Sequence, residues 1–265
     1  MSGLTSEQIN EYYKIMLDSL PAADDNTKVN IANSIWCRIG FPVKKSFLDI
    51  NKEYFNAEVR NLDFSKSLAA DTINNWCAGK TNDLIKKIIN PPIPETTMAY
   101  IINAIYFKGI WTKQFDKKST FSGTFKSESG QVNEVNMMSK LDTIAYYKDA
   151  YAQYVDIPYG NKTFSMTVIL PEEGKNTSDV LDYLNADKID ELSDKMVVRA
   201  VKLYLPRFKV ENNFSLATVL QNMGMKQAFL VKADFKGIVD GDLFINDVKH
   251  VTYVSVTEDG TEAAA

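Results

Sequence analysis

Histidine and cysteine are almost absent from these 265 residues, which hold one histidine, His250, and two cysteines, Cys37 and Cys77. A lone histidine cannot build the common zinc hydrolase sites, which need two or three imidazoles. Two cysteines supply neither a disulfide framework nor a thiolate zinc site. Each follows a tryptophan in a patterned segment (Trp36-Cys37, Trp76-Cys77) and reads as a buried free thiol. A hydrolase using Cys37 or Cys77 with His250 has no local nucleophile motif behind it. No enzyme activity, catalytic residue, metal or cofactor is therefore expected. Excess positive charge is missing too: the net charge is −4 and the pI about 5.2, a poor match for nucleic acid or an anionic membrane. No apolar run approaches the roughly 18 residues of a transmembrane helix. The opening MSGLTSEQINEYY lacks the basic start and apolar stretch of a secretion signal. There is no internal repeat, low-complexity block or Pro/Gly/Ser linker.

What remains is an ordinary globular composition, 45% hydrophobic and 24% charged, over a length that suits one large domain. Thr5 with Gln8 forms a capping-box pattern, and Ile9, Tyr13, Met16 and Leu20 follow helical spacing up to Pro21. A strand is expected over 28–38, a short helix over 47–55 and a strand over 57–64. A second long helix is expected over 69–89, stopped by Asn90-Pro91-Pro92. The nearly all-apolar stretch 98–107 reads as a central strand covered on both faces. Strands and turns fill 121–171, 178–192 reads as one helix, and 201–210 alternates. Asn213 is placed as a helix cap, Gly224 as that helix's close, and 248–256 as the last strand. This order of elements points to an α+β fold. From composition alone the closing EDGTEAAA reads equally well as a disordered polar tail.

Four separated segments carry more than pattern: Asn103-Ala104-Ile105-Tyr106-Phe107-Lys108-Gly109-Ile110-Trp111; Val135-Asn136-Met137-Met138; Leu205-Pro206-Arg207-Phe208-Lys209-Val210-Glu211; and His250 through Ala265. In this order they resemble the serpin family of protease inhibitors, nearly end to end, and the opening half looks most like bacterial members. The departures are Val251, where many relatives carry Lys, and Ser255, where many carry an acid.

The resemblance implies a serpin fold, with a large mixed or antiparallel sheet, flanking helices and smaller sheets. It implies a single domain over 1–265, truncated at both ends. It implies inhibition of a target protease of serine or cysteine type: the protease cuts an exposed reactive loop, and the loop enters the central sheet as a new strand. A non-inhibitory binding or carrier serpin is the alternative. Glu258, Asp259, Gly260, Thr261, Glu262, Ala263, Ala264 and Ala265 correspond to the loop's hinge. Small residues suit a strand that must pass between two others, and Gly260 permits unusual backbone angles. By alternation, Thr261, Ala263 and Ala265 are expected to face inward, with Glu262 and Ala264 outward, where a carboxylate stays solvated. Asn103 and His250 correspond to the family's shutter, with His250 buried and hydrogen-bonded. Trp111, Arg207 and Glu258 correspond to the breach, with an ion pair between Arg207 and Glu258. The scissile bond and two core strands are expected beyond Ala265, so the 265-residue chain is expected not to inhibit and to self-associate. Glu7, Glu11 and Asp18 against Lys14 leave no polyanion site on the first helix. The family resemblance alone suggests an extracellular or cell-envelope location.

Overall fold

The computed structural model describes residues 3–265. Helix α1 (Ser6–Ser19) carries the expected capping box, with Thr5 Oγ1 accepting from Gln8 N and Gln8 Oε1 from Thr5 N. Its apolar stripe is only half covered. Tyr13 rests on Phe55 of α2 (Lys45–Phe55), ring centroids 5.8 Å apart, and no residue of α1 is fully buried.

Two sheets make the body. The first has six strands in the order β2 (Glu58–Leu62), β1 (Thr27–Arg38), β3 (Ala99–Ile110), β11 (Gly260–Ala264), β10 (Lys249–Val256), β9 (Phe208–Ser215). It is mixed: β1 and β2 run parallel and every other pair is antiparallel. In the second, β5 (Val132–Lys148) pairs with β4 (Phe121–Lys126), β6 (Ala152–Pro158) and β8 (Val197–Pro206), and β6 pairs with β7 (Ser165–Pro171). Between the sheets lies one core. Met138, Ile144, Val155, Ile157, Leu203 and Leu205 face Val256, Trp111 and the half-buried Phe107 and Val254. Helix α3 (Ser67–Lys80) covers the other face of the first sheet, where Ala70 and Ile73 meet Ile102, and Cys77 meets Ala104. Both cysteines are buried free thiols, and desolvation pushes Cys77 up to about 11.

Five local expectations give way. Helix α3 stops at Lys80, because Asn82 and Asp83 take left-handed angles (φ 52° and 61°) that break the ladder. The stripe beyond it still turns inward as an irregular segment, with Asn74 Oδ1 accepting from Ile88 N and Ile89 N. Strand β3 is covered on both faces only over its second half: Ile102, Ala104 and Tyr106 are buried on one face, while on the other Phe107 and Gly109 meet Tyr159 but Ile101 is 65% exposed. The single helix expected over 178–192 is two, α4 (Thr177–Tyr183) and α5 (Ala186–Lys195), each capped by an asparagine, Asn176 and Asn185. The alternating 201–210 stretch spans two strands, because Pro206 ends β8 and the chain crosses from one sheet to the other at Arg207. Asn213 is not a cap but a residue of β9 opposite Val251; α6 (Ala217–Asn222) starts four residues later, and Gly224 (φ 107°) closes it as expected.

Candidate functional site

The polar tail is a strand. Residues 257–259 turn sharply after β10, with Thr257 N donating to Gly260 O at 2.9 Å, and β11 returns between β10 and β3. It pairs on both sides: Thr261 lies opposite Gly109 and Val256, and Ala264 opposite Tyr106 and Tyr253. Ala265 extends the ladder by exchanging backbone bonds with Ile105 at 2.7 and 3.0 Å. The side chains of Gly260, Thr261, Ala263 and Ala264 are small, so they remove little apolar area from water. Backbone bonds, each worth about 1 kcal/mol net, therefore carry most of the strand's attachment.

Glycine is required at the head of this strand. A Cβ on Gly260 would lie 2.0 Å from Gly109 O and 2.9 Å from Ile110 Cα. A Cβ on Gly109 would lie 2.7 Å from the ring of Tyr159. The close approach of β11 to β3 and the seating of Tyr159 over both thus depend on two missing side chains.

Side chains alternate along β11, but Ala263 and Ala265, expected inward, are only half-buried. Thr261 is buried toward the second sheet, its Oγ1 hydrogen-bonded to the Tyr159 hydroxyl at 2.6 Å. Glu262 points to the α3 side, and its carboxylate accepts from the Tyr106 hydroxyl at 2.6 Å, with Lys108 Nζ at 3.8 Å and Asn82 Nδ2 at 3.4 Å. Burial, then the hydrogen bond and charge of Glu262, push Tyr106 up to about 12, and burial pushes Tyr159 there too. Both phenols thus remain protonated donors at neutral pH. Ala264, expected to face outward, is instead buried among Cys77, Ile85 and Ala104, because the segment following α3 folds over it.

The head of β11 meets the junction of the two sheets. Trp111 is 2% exposed, donates Nε1–H to Thr257 O at 2.9 Å and stacks on Tyr159 with centroids 4.4 Å apart. The Glu258 carboxylate is buried, with Oε2 3.5 Å from Arg207 Nε and Oε1 accepting from Thr120 Oγ1 at 2.8 Å. Asp259 is exposed, 2.9 Å from Lys117 Nζ, and its carbonyl accepts from Trp111 N. Trp111, Arg207 and Glu258 are thus brought together.

Asn103 and His250 are not in contact. The registers of β11 with its two neighbours put them level with each other across the sheet, but below Ala265 no ladder joins β3 to β10 among the described residues. Asn103 Nδ2 donates instead to Asn33 Oδ1 at 2.9 Å. His250 is half-buried and finds no hydrogen-bond partner among the described residues.

Sequence reasoning missed Tyr159, Thr120 and the role of Tyr106. Tyr106 sits inside a quoted motif, two residues before Lys108 on the same strand face, so alternation alone pointed to it. Nothing in the sequence ties Tyr159 to Thr261 or Thr120 to Glu258, since both contacts span more than a hundred residues.

Comparison with known proteins identifies the family and the fold. The family model described as "Serpin (serine protease inhibitor)" matches residues 1–265. An uncharacterized serpin-like protein of Thermococcus kodakarensis is 38% identical over 88% of this chain and 54% of its own length. One of Methanosarcina acetivorans is 34% identical over 94% and 59%. The chain thus spans little more than half of these archaeal relatives. Serpin B6 of Pongo abelii is 33% identical, over 97% of this chain and 70% of its own. Among solved structures, the thermophilic serpin tengpin in the latent state superposes with a TM-score of 0.91 at 32% identity, covering 99% of this chain and 72% of that one. Emu ovalbumin superposes with a TM-score of 0.91 at 27% identity, over 97% and 68%. With the family model matched along its whole length and relatives above the thirty-per-cent level, the chain belongs to the serpin family.

Proposed function

We propose that this chain is the strand-accepting body of a protease inhibitor of the serine-endopeptidase type, in which residues 258–265 are the hinge of a loop that joins the central sheet. Serpins generally inhibit proteases, and the observation that carries the finer reading is the seat of β11 between β3 and β10. Its small side chains fit a strand that must slide between two others, and Gly260 removes the one Cβ that would collide with β3. Similar solved structures include tengpin in the latent state and a cleaved Serpin 42Da, which matches at 30% identity. In this reading the Glu258–Arg207 pair, Thr120 and Trp111 hold the top of the sheet at the point where the hinge leaves β10.

The test uses the protein from its natural source, incubated with serine endopeptidases of differing specificity and separated under denaturing conditions. An inhibitor of this kind is cut at its loop and stays joined to the protease serine as an ester while the segment beyond the cut leaves as the amine, so a band at the summed mass of the two proteins less that segment is expected. Cleavage without any such band would overturn inhibition and favour the binding or carrier alternative.

A further inference from the structure

Lys140 is an unusual lysine. It lies on β5 opposite Leu203, and its side chain is only 5% exposed. Its ammonium donates to Lys113 O at 2.7 Å, pairs with Asp142 Oδ2 at 2.9 Å and sits 4.7 Å from the centroid of the Phe115 ring. Lys113 answers from the other direction, its Nζ donating to Leu141 O at 2.7 Å and lying 3.5 Å from Asp142 Oδ1. Burial lowers the Lys140 pKa, and Asp142 opposes that shift. A buried ammonium is costly to hold unless its donors are used, and here each contact falls on the same short turn, 111–116, or on the aspartate beside it.

The opposite side of that turn grips the start of the hinge. Phe115 N donates to Glu258 O at 3.0 Å and Trp111 N to Asp259 O at 3.1 Å. The Trp111 indole reaches Thr257 O, and Gln114 Nε2 lies 3.3 Å from Asp259 O. The turn is thus clamped between the second sheet, through Lys140 and Asp142, and residues 257–259. Neither Lys140 nor Asp142 touches the hinge itself.

We propose that Lys140, paired with Asp142, is a positioning residue that fixes the 111–116 turn and thereby sets how firmly the hinge strand is held in the central sheet. The inference rests on the proposed reading of β11 as a hinge that joins and leaves that sheet. Lys140 acts through Lys113 and Phe115 rather than on the strand.

Amide hydrogen exchange on the folded chain tests this. Lys140→Met keeps the stem and removes the charge; Lys140→Arg keeps the charge and the donors. In Lys140→Met, exchange at Trp111, Phe115 and residues 260–264 is expected to speed up at least tenfold, while amides in the β1–β2 pairing stay within twofold. Lys140→Arg is expected to stay within threefold of wild type throughout. Should Lys140→Met fail to fold, Asp142→Asn, which keeps shape and unpairs the ammonium, is expected to give the same local pattern. Unchanged exchange at 260–264, or an equal rise across the whole molecule, overturns the positioning role. A wild-type chain with no protection at 260–264 would instead sink the hinge reading itself, so the two failures are told apart.

Discussion

Glu258 and Arg207 share an ion pair from unequal surroundings. The glutamate side chain is 5% exposed and the arginine 47%. Water can solvate an orphaned Arg207, whereas an orphaned Glu258 keeps only the Thr120 hydroxyl. Solvent screening at the arginine limits what loss of the glutamate charge costs, so Glu258→Gln is expected to lower stability by about 1 kcal/mol or less. Arg207→Met leaves a buried carboxylate underpaired and is expected to cost more, about 2 kcal/mol. Urea unfolding midpoints of the two variants check the order, and a larger loss for Glu258→Gln contradicts it. Gly260 is governed by sterics alone. Its missing Cβ would sit 2.0 Å from a backbone oxygen that cannot rotate aside, so Gly260→Ala is expected to cost about 3 kcal/mol of β11 attachment. Faster exchange confined to residues 261–264 would register it, and unchanged exchange there would refute it.

Between elements, Asp24 is the main polar tie from the chain ahead of β1 to the turn after β6. It accepts from Asn26 N at 2.9 Å, Thr27 Oγ1 at 2.7 Å and Asn161 N at 3.2 Å. Burial pushes its carboxyl upward, but these bonds to the charged form outweigh it and hold the pKa below the usual 3.8. A depressed folded pKa means stability that is fully present above the unfolded value and lost as pH falls through the folded one. Asp24→Asn is therefore expected to flatten the fall in melting temperature below about pH 4 while lowering the neutral plateau; parallel curves for the two proteins would count against it. The same scale shows what was legible beforehand. Strand cores such as 28–38 and 248–256 were readable because their strand-favouring residues, Val29, Ile31, Ile35 and Trp36 in one and Val251, Thr252, Tyr253 and Val254 in the other, need no knowledge of the partner. The end of α3 and the break between α4 and α5 were not, since they turn on Asn82 and Asp83 taking left-handed angles and on Asn185 capping a new helix, choices that tertiary contacts decide. Trp111, Arg207 and Glu258 were found through resemblance; Tyr159 and Thr120, joined to Thr261 and Glu258 only by the folded chain, were beyond any local pattern.

For the whole molecule, topology sets an order of events. β11 is the last strand, yet it pairs with β3, about 150 residues earlier, and β3 pairs with the still earlier β1. Such distant ladders carry a loop-closure cost before they yield bonds, which slows folding. The β1–β3 and β5–β8 ladders hold longer runs of pairs than β3–β11. Protection of residues 260–264 is accordingly expected to appear last in pulsed hydrogen exchange during refolding, after that of β1 and β5. Simultaneous protection everywhere would show that β11 forms with the body instead of joining it.

Trp111 has an optical consequence. The chain holds three tryptophans, and Trp36 of β1 packs edge-on against Trp76 of α3, ring centroids 6.1 Å apart. Trp111 alone is stacked on Tyr159 and bonded to the turn that launches β11. In the proposed reading of β11 as a hinge, the Trp111 emission reports the occupancy of the central sheet, red-shifting as that turn departs. The Trp36–Trp76 pair makes no contact with that turn, so a Trp111→Phe difference spectrum isolates the head of β11 without an added dye.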